Sequence, residues 1–265
     1  MRRRSSSSGM DDSKYAAELK LHEWYAGADN TTRDDRKAAW RPSKIQTSRM
    51  IKRDLGDLDG KLGLELGCGS EGLFEFFQGE GSTLIECDLI VEALRVLREN
   101  GAENLVVGDA NRLPFREEAL DFIFCIGLIH HLDPVEPTLE EMVRVLKQGG
   151  SIYIFEPNRH FVPSILIDSL PSHLTLWLRQ TLLPRILKRY VPVTDYERPL
   201  SARKVRDVLE GLRMKQIKQT FDRSGPPYLP KAVAVFHSRV SKALTSVFPL
   251  TSKYLSGQWA ILGRK

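Results

Sequence analysis

Leu62-Gly63-Leu64-Glu65-Leu66-Gly67-Cys68-Gly69-Ser70-Glu71-Gly72-Leu73-Phe74-Glu75-Phe76-Phe77 is the stretch that decides the fold. A short apolar run, Leu62–Leu66, meets a glycine turn, and Leu73–Phe77 opens a helix. Gly67, Gly69 and Gly72 stand at the GxGxxG spacing, between a strand and a helix. Missing side chains let such a backbone turn tightly and come close to a ligand.

The same rhythm continues outward. Thr83–Cys87 reads as a second strand ended by Asp88, and Val91–Glu99 as a helix. Leu105–Val107 is a third strand ended by Gly108-Asp109, and Phe122–Ile126 a fourth. Leu139–Leu146 reads as a helix stopped by Gly149-Gly150, and Ile152–Phe155 as a fifth strand stopped by Pro157. Strands alternating with helices predict a parallel α/β sheet with right-handed crossovers. After residue 200, Ser201 reads as the N-cap of a helix through Glu210. Lys215–Phe221 reads as a strand, Lys231–Val247 as a helix and Gln258–Leu262 as a last strand.

Three pieces lie outside that rhythm. Residues 1–13, with Arg2-Arg3-Arg4 and a serine run, have nothing to bury and read as a disordered tail. Residues 14–58 read as a helical cap, with Pro42 separating two helices. Residues 158–200 carry Pro163, Pro171, Pro184, Pro192 and Pro199. An insertion there lies near the carboxyl edge of the sheet, where open α/β folds bind ligands, and reads as a lid. Residues 14–265 then form a single domain, an ordinary length for one core.

Composition narrows the function. Three cysteines without CxxC or Cys/His spacing exclude a disulfide framework and a structural zinc site, and no metal is expected. No long apolar run or secretory signal is visible, so the expectation is a cytoplasmic chain. The net charge is +5, which first suggests nucleic acid. Its distribution argues against that partner. Arg2–Arg4, residues 161–190 and residues 223–265 are basic, the last with seven basic residues and no acid, so the body between them is acidic. Phe161, Trp177, Phe236, Val247, Phe248 and Trp259 stand within the two larger basic pieces. Basic plus apolar composition favours an amphiphilic acceptor or peripheral contact with an anionic lipid surface through 161–190 and 229–250. A solvated basic face over ordinary core residues is the alternative.

The chemistry starts at Asp88, which stands where an acid can accept both hydrogen bonds of a ribose diol; a helix N-cap is its other reading. A dinucleotide would set its pyrophosphate over the glycine turn, where Glu65 repels it. S-adenosylmethionine carries an ammonium and a sulfonium instead, and an acid at the strand end suits both.

With Leu64–Gly69, Asp88, Gly108–Phe115, Asp121-Phe122 through Leu128–Leu132, and Val143–Gly150, the sequence resembles the class I S-adenosylmethionine-dependent methyltransferases, in particular their small-molecule "type 11" group. The resemblance covers about residues 60–157; the extra residue before Gly72 departs from the family's turn. It implies a Rossmann-like, mostly parallel sheet of seven strands with an antiparallel C-terminal hairpin. It also implies roles. Gly67, Cys68 and Gly69 would face the methionine part of the cofactor, with Glu65 beside them. Asp88 would hold the ribose, Leu89 would pack on the adenine, and Asp109 and the Ala110 backbone would meet its edge. Ile126, Gly127 and Leu128 would line the sulfonium end.

His130 and His131 follow the fourth strand. Imidazole titrates near neutrality and could take a proton from a hydroxyl acceptor, or simply pack the turn. Trp24 and Tyr25 would either pack a core or close over the cofactor, and Cys68 reads as a small apolar turn residue. Pro226-Pro227-Tyr228 resembles the loop of nucleic-acid amino-methyltransferases but stands far from the fourth strand, so it reads as a turn. The expected activity is transfer of a methyl group to a small or lipid-like acceptor, at oxygen first. C- or N-methylation of a quinone-type or natural-product acceptor is the alternative, followed by RNA methylation and by a cofactor-binding protein without turnover.

Overall fold

The computed structural model describes residues 30–158, 160, 200–222, 239–241, 243, 244, 246–248, 254 and 256–265. The tail 1–13, Trp24 and Tyr25, nearly all of the insertion 158–200 and the Pro226–Tyr228 turn lie outside the described residues.

Helix α1 spans Asn30–Leu55. Then follow β1 (Leu62–Leu66), α2 (Phe74–Phe77), β2 (Thr83–Asp88), α3 (Val91–Glu99), β3 (Leu105–Val107), β4 (Leu120–Ile126), α4 (Glu136–Val145), β5 (Leu146–Pro157), α5 (Ala202–Gly211), β6 (Lys215–Asp222) and β7 (Gln258–Arg264). The strands form one seven-stranded sheet in the order β3-β2-β1-β4-β5-β7-β6. β1 pairs in parallel with β2 and β4, and β2 with β3. β6 and β7 are antiparallel. The Rossmann-like fold and its C-terminal hairpin are therefore as expected.

The described chain divides into two compact units. One holds the residues up to Cys125, Leu132–Ile152 and Lys265; the other holds Ile126–His131 and the residues from Tyr153 to Arg264.

In the first unit, Gly63 stands opposite Phe122 in the parallel register. The Phe122 ring fills the space beside it: a Cβ on Gly63 would lie 2.0 Å from Cζ. Phe122 stacks with Phe77 at 6.3 Å and with Phe124 at 6.5 Å between ring centroids. All three rings are buried, each worth about 1.5–3 kcal/mol relative to exposure. Helix α3 turns Ala93, Leu94, Val96 and Leu97 inward and leaves Arg95 and Arg98 outside, the stripe that a 3.6-residue period produces.

Two boundaries differ from the sequence reading. α1 runs through Pro42 instead of breaking there. Side chains on both sides of the proline anchor to one neighbour: Arg41 pairs with Glu75, Lys44 with Glu71, and Lys52 with Glu80 and the Phe76 carbonyl. Buried Ile51 and Leu55 extend the same face. These contacts hold the helix on both sides of the proline, which removes one backbone bond and crowds the preceding turn. The helix expected over Leu139–Leu146 begins earlier, at Glu136, and stops at Val145; Leu146 through Gly150 belong to β5. The glycines do not end a helix. Gly149 N–H donates to the Lys265 carbonyl, and Lys265 N–H donates to Gly150. Pairing with the chain end overrides the local turn signal. Ser201 does precede α5 in extended conformation, but its side chain makes no capping hydrogen bond.

Candidate functional site

The glycine turn is tied to the end of β2 by three successive N–H groups. Gly67 and Cys68 both donate to the Cys87 carbonyl, at 2.8 and 3.2 Å. Gly69 donates to Asp88 Oδ2 at 2.8 Å. Gly67 and Gly69 hold φ of 72° and 58°, the left-handed region where glycine is at no steric disadvantage. A phosphate-binding turn needs those N–H groups free to point at the anion. Here they are already given to β2, which fits an uncharged or cationic ligand and leaves little for a pyrophosphate.

Asp88 is buried, and its other oxygen, Oδ1, accepts the N–H of Ile90 at 2.9 Å. Ile90 rather than Asp88 holds the N-cap position of α3. A carboxylate has about four lone-pair sites, so each oxygen retains capacity for a hydroxyl. Gly108 N–H donates to the Asp88 carbonyl at 3.0 Å, bringing the Asp109 turn beside it. Asp109 Oδ1 accepts from Asn111 N–H at 2.9 Å, and Asn111 Oδ1 accepts from the Thr138 hydroxyl at 2.6 Å. Leu89 and Ala110 are half-buried in the same two turns.

Glu65 points inward at 4% exposure, and its Oε2 accepts the N–H of Leu73 at 2.7 Å. Glu86, on β2, is buried beside it. Burial pushes the Glu65 carboxyl up to about 7, against the Leu73 hydrogen bond that favours its charge. Burial, and then the charge of Glu65, holds Glu86 well above the usual carboxylate range. The pair is thus only partly ionised near neutrality. Burial also raises the Cys68 thiol well above its ordinary value, so it stays protonated and is no nucleophile. These residues fit S-adenosylmethionine: acids for its hydroxyl and amino donors, occupied N–H groups where a phosphate would sit, and open glycine backbone between.

In the second unit, Gly127 follows β4 with φ of 62° and donates to the Phe155 carbonyl at 2.8 Å. The turn Ile126–His131 wraps the carboxyl of Glu156, which is fully buried at the end of β5. Leu128 and Ile129 N–H both donate to Glu156 Oε1, at 2.9 and 2.8 Å. His130 Nδ1 lies 2.6 Å from Oε2. The rings of His130 and His131 are 4.1 Å apart and tilted by 40°.

The structure thus gathers Glu65, Gly67, Cys68, Gly69, Asp88, Leu89, Asp109 and Ala110 in the first unit, and Ile126, Gly127, Leu128, His130 and His131 in the second. Glu86 and Glu156 escaped the sequence reading. Their signal was present: Glu86 stands between Ile85 and Cys87, and Glu156 directly after Ile152–Phe155, where a charge needs a purpose.

The sequence family described as a methyltransferase domain matches residues 64–154. The probable tRNA methyltransferase 9B of Homo sapiens is 34% identical over 110 residues, 38% of this chain and 24% of that protein. Demethylmenaquinone methyltransferase of Thermobifida fusca is 34% identical over 103 residues, 37% of this chain and 44% of that protein. The matched stretch thus spans less than half of either relative. The crystal structure of a SAM-dependent methyltransferase from Archaeoglobus fulgidus shares the fold, with a TM-score of 0.59 and 17% identity over 86% of this chain and 97% of that one. Residues 64–154 thus match a methyltransferase domain in sequence, and the chain shares its fold with S-adenosylmethionine-dependent methyltransferases.

Proposed function

We propose that the protein transfers the methyl group of S-adenosylmethionine to a hydroxyl of a small or lipid-like acceptor. The observation that carries the reading is the tie between Asp88 and Gly69. It fixes the acid against the glycine turn and takes up the Gly69 N–H, while the Cys87 carbonyl takes those of Gly67 and Cys68, so the groups that a dinucleotide would need are occupied. Asp88 accepts from the ribose hydroxyls, Asp109 accepts from the adenine amino group, and Ala110 N–H donates to the ring nitrogen beside it. Bound there, the cofactor supplies an electrophilic methyl group on a sulfonium.

Oxygen is favoured as the methylated atom because a hydroxyl must lose a proton, and His130 is held by a buried carboxylate. The relatives' names point to a quinone-type acceptor in one case and tRNA in another. The acidic body of this chain favours the first. The test is transfer of tritiated methyl from S-adenosylmethionine to phenols, quinols, a lipid extract and bulk tRNA. Label in a phenol or quinol, on oxygen, supports the reading. Label in tRNA alone, or on carbon or nitrogen, overturns it.

In this reading the acceptor is met at an anionic lipid surface. Residues 239–241, 243, 244, 246 and 247 are helical. Val240, Leu244, Val247 and Phe248 are exposed at 39%, 42%, 69% and 61%. Their spacing puts them on one face, while Ser241 is buried at 1%. An apolar face turned outward, in a segment of seven basic residues and no acid, matches an anionic membrane in charge and in polarity. Residues 161–190, the other part expected to contribute, lie outside the described residues. Co-sedimentation with phosphatidylglycerol vesicles at low salt supports this. Equal recovery in the supernatant with and without vesicles refutes it.

A further inference from the structure

We infer that Glu156 is a positioning residue that makes His130 a general base. The inference rests on the proposed methyl transfer to a hydroxyl.

The geometry is over-determined. Glu156 is fully buried, and its side chain makes three hydrogen bonds to three consecutive residues. Two of them, from Leu128 and Ile129 N–H, end on Oε1 and fix the plane of the carboxyl. The third joins Oε2 to His130 Nδ1 at 2.6 Å, the short distance of a charge-assisted bond. A purely structural acid could have been satisfied by the backbone alone. Here the second oxygen is spent on an imidazole whose side chain is only 11% exposed.

The chemistry follows from donor count. A carboxylate only accepts hydrogen bonds, so the proton of a neutral His130 resides on Nδ1. The basic lone pair is then on Nε2. In the proposed transfer the acceptor oxygen would take the methyl carbon, the methyl–sulfur electron pair would go to sulfur, and Nε2 would take the hydroxyl proton. The resulting imidazolium carries its positive charge 2.6 Å from the Glu156 carboxylate, which stabilises that charge as it forms. The arrangement holds the tautomer and the ring orientation together, as the acid of a serine-hydrolase triad does for its histidine.

The test separates position from mere structure. Glu156→Gln keeps the shape of the side chain, and its carbonyl oxygen can still accept from Leu128 and Ile129. Its amide nitrogen then faces Nδ1 and donates, which drives the imidazole proton to Nε2. The readout is the nitrogen-15 spectrum of histidine-labelled full-length protein, with His130→Gln identifying the signal. Wild type should show the Nδ1–H tautomer and Glu156→Gln the Nε2–H tautomer. With the acceptor found in the methyl-transfer screen, Glu156→Gln should lower kcat by about 100-fold or more. KM and S-adenosylmethionine affinity should be unchanged.

An Nε2–H tautomer in wild type overturns the inference, and so does full kcat in Glu156→Gln. The spectrum needs no turnover and can be read on wild type alone, should the variant not fold. If wild type shows the Nδ1–H tautomer but does not bind S-adenosylmethionine, the proposed function fails and the positioning geometry stands.

Discussion

Replacing Glu65 by Gln should change how stability depends on pH. Glu65 is fully enclosed, and burial lifts its carboxyl from 4.5 to about 7. Between those values the folded chain holds a proton that the unfolded chain has released. Folding therefore takes up a proton, and stability falls as pH rises through this window, levelling off above about 7. The shift corresponds to about 3 kcal/mol at roughly 1.4 kcal/mol per pH unit. Gln keeps an oxygen to accept the Leu73 N–H and has nothing to ionise. It also removes the charge that, after burial, raises Glu86, so both changes act in one direction. Urea unfolding followed by circular dichroism, at steps from about pH 4.5 to pH 8, measures the effect. Relative to wild type, Glu65→Gln should gain about 3 kcal/mol across that range. Every other ionisable group is common to both proteins. Parallel curves for the two proteins would refute the assignment of a neutral, buried carboxyl to Glu65.

Other perturbations follow from the packing. Gly63→Ala places a Cβ within 2.0–2.6 Å of three Phe122 ring atoms, and that ring is held by Phe77 and Phe124. Thermal unfolding should report a loss of about 1–3 kcal/mol, the usual range for overpacking. Glu141 accepts from Arg144 and from Leu113 N–H, and Arg144 first, then the Leu113 N–H, hold its carboxyl below 4.5 against partial burial. Its contribution is present above the unfolded value and lost as pH falls below it. Glu141→Gln should therefore be destabilising at neutral pH by about 1–2 kcal/mol, and indistinguishable from wild type in acid, measured by urea unfolding.

The elements that the sequence made legible are those whose local signals and tertiary packing agree. Leu62–Leu66, Val91–Glu99 and Leu105–Val107 were readable to the residue because an apolar run, or a 3.6-residue stripe, ends where a glycine or acid begins. α1 was misread because Pro42 is a strong local breaker, while Glu71, Glu75 and Glu80, which hold the helix together, come from in and around α2, further along the chain. Gly149-Gly150 misled for the same kind of reason: their partner, Lys265, is more than a hundred residues away. At the candidate site, the glycines and Asp88 announced themselves by position. Glu86 and Glu156 did not, because their meaning lies in the carboxyl or imidazole opposite them, and no spacing within one strand encodes that.

The central claim is that Asp88 and the glycine turn hold S-adenosylmethionine. Calorimetric titration of the full-length chain with S-adenosylmethionine tests it, with NADH as comparator and Asp88→Ala as control. Two hydrogen bonds from the ribose to a carboxylate are worth about 1.5–3 kcal/mol each. Binding should thus be micromolar in wild type, about 100-fold weaker or lost in Asp88→Ala, and absent for NADH. Binding of NADH in place of S-adenosylmethionine, or equal affinity in a folded Asp88→Ala, would contradict the account.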